Sequence, residues 1–137
     1  MPRVSFAFFL SAIVYGICGM VLGMVMVMGV TQDHTLMPVH AHINLLGWVS
    51  LAIMGGFYAL AGDRAPRRLS WINFALSNLG ILLVGPLLAV LLTKGDLRVV
   101  PFMALGEVML VSGMVVFGVA VLRTAKAGPT ATTAAAA

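Results

Sequence analysis

Charge is what this chain has least of. Of its 137 residues, 9% are charged and 61% hydrophobic, and the mean hydropathy is +1.09. Soluble domains carry roughly 25% charged residues. So few charges cannot cover a water-facing surface, and the chain reads as an all-α membrane protein. Cysteine is scarcer still. Cys18 stands alone inside an apolar run, which excludes an intrachain disulfide. No Gly-rich phosphate loop, nucleophile elbow or paired-carboxylate constellation occurs. The pI near 10.0 does not point to nucleic acid, because the basic residues sit in short clusters between apolar runs and mark topology instead.

Four runs are long enough to cross a bilayer, for which about 20 residues suffice. They cover residues 6–30, 39–61, 69–92 and 99–122, joined by TQDHTLMP, GDRAPRR and TKGDLR. Connections this short make neighbouring helices antiparallel in one bundle. Residues 1–126 thus form a single four-helix transmembrane domain, and 127–137 a low-complexity tail. The long first span reads as a retained helix, not a signal peptide. Arg3, Arg64, Arg67, Arg68, Arg123 and Lys126 fall on one side, and Lys94 and Arg98 on the other. The positive-inside rule then places both termini in the cytoplasm and the histidines at the outer face, in a bacterial inner membrane.

The polar residues are few enough to weigh one by one. His40 and His42 open the second span, followed by 18 residues, Ile43 to Leu60, without a charge. A helix turns about 100° per residue, so an i, i+2 pair points to nearly opposite sides. The two rings cannot grip one metal ion from the same face. They suit two sites on opposite flanks, such as axial positions on two haem irons, or they are interfacial histidines bonded to water and headgroups. Asn44 is placed to orient an imidazole, or to bond between helices. Met20, Met24 and Met28, with Met26 nearby, lead along helix 1 towards His34, Met37, His40 and His42. Soft thioethers suit Cu(I), so a copper path is one reading. Packing is the other, with Gly16, Gly19 and Gly23 as a small-residue helix contact. Glu107 lies about 12 Å deep in helix 4. A carboxyl there needs a partner, for which Asn78 or Asn73 on helix 3 is expected. Lys94, Arg98, Asp33 and Asp96 flank the spans at the histidine level.

The stretch HAHINLLGWVSLAIMGGFY resembles the tenth helix of subunit I of the haem–copper oxidases, which begins His-x-His and runs into an Ala-Ile-Met-Gly-Gly-Phe segment. In that family twelve helices form three four-helix arcs with histidines on the second helix of each arc. The resemblance implies that this chain is one arc of a ring closed by three copies, a homotrimer. It also implies that His42 and His40 are axial haem ligands serving two different haems, each held between His42 of one copy and His40 of the next. Arg98 and Lys94 match the loop where the family's cations meet haem propionates. Two departures matter. Helix 3, WINFALSNLGILLVGPLLAVLL, has no histidine for the family's copper site, and Asn44 and Leu46 stand where its linked tyrosine is sought. Four-electron oxygen reduction is therefore not expected.

The expectation is a membrane cytochrome with non-covalent haem b, since no CxxCH occurs for covalent attachment. It would transfer electrons, or sense redox state or a gas, with the bilayer, a quinone or a redox protein as partners. The alternatives are a copper-handling protein and a cofactor-free scaffold.

Overall fold

The computed structural model describes residues 1–29 and 34–127; Asp33 and the tail 128–137 lie outside the described residues. Four helices are long and apolar enough to cross a membrane: α1, Arg3–Met28; α2, Met37–Arg64; α3, Arg67–Lys94; and α4, Leu97–Lys126. No strand occurs among the described residues. Most ends run a little beyond the apolar limits into arginine or lysine, whose stems lie along the helix while their charges reach out to water. The outer surface is apolar as well: Val27 and Leu60 are each 86% exposed, and Val111 is 66% exposed. Such an inside-out distribution suits hydrocarbon, not water.

Glycine ends two of the helices. Gly62 (φ 57°) closes the regular part of α2. Gly95 (φ 63°) caps α3 and donates its N–H to the Leu91 carbonyl at 2.9 Å. Both use the left-handed region open to glycine.

The contact between α1 and α2 is reciprocal. Glycines of α1 receive large side chains of α2, and glycines of α2 receive those of α1. A Cβ added at Gly16 would stand 3.1 Å from the Trp48 ring, one at Gly19 2.5 Å from the Asn44 amide, and one at Gly23 2.8 Å from the His40 ring. In return, a Cβ at Gly47 would meet Tyr15 at 2.8 Å and one at Gly55 would meet Phe8 at 3.0 Å. The Ser5 hydroxyl closes the lower end by donating to the Gly55 carbonyl at 2.8 Å.

Helix α2 is not uniform. It is α-helical over Met37–His42, a π-helix over Ile43–Val49 and α-helical again over Ser50–Ala61. Ser50 accounts for the wide turn, since its N–H and its hydroxyl both meet the Leu45 carbonyl five residues back, the hydroxyl at 2.8 Å. The segment carries His40 and Asn44 to the same neighbour, α1, that Leu51 and Gly55 meet lower down.

Helices α3 and α4 meet along small residues. On α3, Ser77, Gly80 and Val84 lie against Gly113 and Gly106 of α4; on α4, Gly106, Gly113 and Ala120 are buried and recur every seven residues. Heptad spacing is the pattern of left-handed packing, and small residues bring the backbones close. Gly80 and Gly106 mark the closest point, where a Cβ on either would stand 2.9 or 3.0 Å from the other's carbonyl oxygen.

Towards the arginine-rich end, Phe8, Tyr58, Phe74 and Phe117 stack edge and face to form the core. Asn73 donates to the Tyr58 hydroxyl at 3.0 Å and accepts from Ser77 at 3.1 Å. No buried side-chain nitrogen or oxygen among the described residues lacks a partner.

Replacing Gly106 with Val pushes a branched side chain against Leu83, Val84 and the Gly80 backbone, and is expected to cost about 1–3 kcal/mol through overpacking. Gly118→Ala, which meets nothing within 4 Å, should be neutral. Unfolding of both variants in mixed detergent micelles checks the contrast.

Candidate cofactor site

Both imidazoles of the His-x-His pair are braced through the same nitrogen. His40 Nδ1 lies 2.9 Å from the Gly19 carbonyl oxygen, across the α1–α2 contact. His42 Nδ1 lies 2.7 Å from the Pro38 carbonyl oxygen, one turn earlier in its own helix. A carbonyl oxygen only accepts, so a neutral ring at either position carries its proton on Nδ1. Metal-bound histidines commonly have this arrangement, one nitrogen donating to a carbonyl and the other facing the metal.

Local sequence explains the placement. Gly19 and Gly23 leave the groove on α1 into which Asn44 and His40 fit. The Asn44 amide nitrogen donates to the His40 carbonyl at 2.9 Å and stands 3.3 Å from each nitrogen of the His40 ring. Val39 is buried, and Ile43 lies 3.7 Å from where a Cβ at Gly85 of α3 would stand. His40, about 100° around the helix from Val39, turns to α1. His42 is half-buried and its ring bonds the Pro38 carbonyl of its own helix. Met37–His42 is regular α-helix, so the two residues leave its axis about 200° apart.

Lys94 and Arg98 stand at the same end, in the connection between α3 and α4. Arg98 is already engaged: Nε and Nη2 donate to the two carboxylate oxygens of Asp96 at 3.0 and 2.9 Å, and its backbone N–H donates to Oδ1 at 3.0 Å. These bonds hold the Asp96 carboxyl below the usual carboxylate range. Lys94 is exposed and makes no ion pair among the described residues.

The expected pair of Glu107 with Asn78 does not form within the chain. Asn78 donates its amide to the Phe74 carbonyl at 3.0 Å, and its own carbonyl accepts from the Tyr15 hydroxyl at 3.3 Å. Asn73 is taken up by Tyr58 and Ser77. The reason is rotational: Gly106 is the residue that faces α3, and the next side chain, Glu107, points out from the bundle and is exposed.

The sulfur ladder also turns outward. Met20, Met24 and Met28 are 54%, 61% and 78% exposed, on a different face of α1 from Gly19 and Gly23, which receive Asn44 and His40. His34 and Met37 are exposed at the start of α2, where the His34 carbonyl accepts from the Met37 N–H at 2.9 Å. Among the described residues no group of three or more His, Cys, Asp or Glu is placed to hold a metal ion. Two features of the site have no signature in residue types: the π-helical turn and the carbonyl brace on each Nδ1.

No family model, no curated protein and no solved structure matches the chain.

In nitrogen-15 spectra of histidine-labelled protein at alkaline pH, His40 and His42 should both appear as the Nδ1-protonated tautomer. Gly23→Ala is expected to shift the His40 signals and leave those of His42 in place, because only His40 lies against Gly23. Gly56→Ala, which meets nothing within 4 Å, should move neither.

Proposed function

We propose that this chain is a haem b-binding membrane cytochrome, a homo-oligomer of three copies that carries electrons between a membrane quinone and a redox partner at the outer face. The observation that carries this reading is the pair of imidazoles on one helix, each braced through Nδ1 by a carbonyl oxygen; an iron at His40 would take Nε2 in place of the Asn44 amide, which stands 3.3 Å from it. One chain offers one ligand to each flank, so a six-coordinate iron would take His42 from one copy and His40 from the next. When bound, the haem supplies a one-electron couple with no exchange of ligands.

The chain's own residues supply the setting. The carbonyl bonds at Nδ1 fix the tautomer and the orientation of each ring. The α1 groove keeps the His40 ring from rotating, while Asn44 borders it and excludes water from that side. Lys94, unpaired at the mouth, is the better placed cation for a propionate. Arg98 would share its charge with Asp96.

Glu107 supports the oligomer. It lies about 15 Å along α4 from Leu97 at 1.5 Å per residue, about a third of the way along that helix, and faces outward. An ionisable side chain within an apolar span is costly to leave against hydrocarbon. Contact with a neighbouring copy removes it from hydrocarbon. The absence of histidine from α3 argues against a copper site of the oxidase kind. Gas or redox sensing uses the same residues if one ligand is exchangeable.

The absorption spectrum of detergent-purified protein, oxidised and then reduced with dithionite, tests the proposal. The expected result is sharp α and β bands and a shifted Soret band on reduction, lost in both His40→Ala and His42→Ala, with a mass equal to three chains. A featureless visible spectrum from haem-supplied cells would overturn it. Copper in that colourless protein would favour the metal-handling alternative.

A further inference from the structure

At the end opposite the histidines, α1, α2 and α3 enclose a cleft of about 390 Å³. Its walls include Arg3 and Arg67, with Asp63 as the counter-charge, and Tyr58, Ser70 and Trp71 line the rest. No ion pair joins Asp63 to either arginine among the described residues. Two arginines and one aspartate thus line the cleft. Helices α1 and α3 both begin here, at Arg3 and Arg67. Neither has a side-chain cap nor an acidic residue in its first turn. Their free N–H groups add partial positive charge to the same space.

A second, shallow and open apolar groove on the flank of α3 adjoins it and shares Arg67 and Trp71. It continues along α3 past Arg68 and Ile72 to Ala75. From residue 67 to residue 75 that is about 12 Å at 1.5 Å per residue, running from the charged end into the apolar span. A cationic cleft opening into an apolar groove, with an indole at the junction, fits a ligand with an anionic head and a hydrocarbon chain. A free anion would use the first half only. We infer that this is a binding site for an anionic phospholipid, its phosphate between Arg3 and Arg67 and one acyl chain beside Trp71 along α3. Basic pockets between transmembrane helices recognise lipid headgroups in this way. The site lies at the far end of the bundle from His40 and His42 and stands whether or not the chain holds haem.

The test uses the full chain in phosphatidylcholine vesicles and reads tryptophan emission. Trp71 and Trp48 are the two indoles. The quenching probes are phosphatidylglycerol and phosphatidylcholine with brominated acyl chains, at matched mole fractions. The wild type is expected to be quenched at lower fractions of the brominated anionic lipid, with a selectivity of about fivefold for each arginine engaged. That preference should vanish in Trp71→Phe, whose remaining indole still reports a folded, embedded chain. It should also vanish in Arg3→Gln/Arg67→Gln. It should persist in Arg123→Gln/Lys126→Gln, which removes the same charge from the same end but outside the cleft. Equal quenching by the two lipids in the wild type overturns the inference. So does equal loss in the two charge variants, which would mean general attraction to the surface. Abolition of the preference by inorganic phosphate, but not by chloride of the same ionic strength, would assign the cleft to a free anion and overturn the lipid.

Discussion

Close approach of α1 and α2 is the constraint from which the rest of the molecule follows. In hydrocarbon no hydrophobic force pulls one apolar helix onto another; association depends on packing and interhelical hydrogen bonds. This chain obtains both by exchanging glycines for large side chains across one contact. Gly16, Gly19 and Gly23 receive Trp48, Asn44 and His40, while Gly47 and Gly55 receive Tyr15 and Phe8. The alternation locks the two helices in register. A shift along the axis would set side chain against side chain at several levels. Because His40 is itself one of the interlocking groups, the same contact that builds the fold also sets an imidazole. Its Nδ1 reaches the Gly19 carbonyl because Gly23 has no side chain to keep the ring out.

The two ends of the bundle divide the polar chemistry. At one end stand His34, His40, His42, Lys94 and Arg98. At the other are the arginines, the cleft they line and the aromatic core beneath it. Between them the polar groups of α2 and α3 satisfy one another through Tyr58, Asn73 and Ser77, so that the middle of the chain presents few polar groups to lipid. Glu107 departs from this rule, and its departure is informative. An outward-facing carboxyl in an apolar span is the feature of α4 on which the proposed contact between copies rests.

The spans were legible because their length and lack of charge leave little choice. The opposite directions of His40 and His42 were equally legible, since an i, i+2 spacing fixes them in any helix. The rotation of each helix about its axis was not. A helix apolar on all sides shows no periodicity to say which face turns inward. That is why Glu107 was expected to meet Asn78 when Gly106 is the residue that faces α3. The small residues at 106, 113 and 120 held the better signal, a seven-residue repeat on the face that packs. The π-helical turn at Ile43–Val49 was also hidden. It depends on Ser50 meeting Leu45 through both its N–H and its hydroxyl, and a serine in an apolar helix usually bonds one turn back without widening it.

The two histidines are chemically matched but mechanically different. His40 is tied to another helix: its ring sits in the α1 groove, its Nδ1 bonds the Gly19 carbonyl and Asn44 borders it. Moving it requires α1 and α2 to part. His42 is tied only to Pro38 in its own first turn, so it follows that turn wherever it goes. In a ring of identical copies, an iron held between them would have one ligand fixed by the interlock and one carried by the end of a helix. Any exchange of a ligand would therefore begin at His42. Electron transfer without exchange requires that the neighbouring copy hold that turn still. In the proposed ring, the flank of His42 would thus be the one where contact between copies decides whether the site carries electrons or senses a ligand.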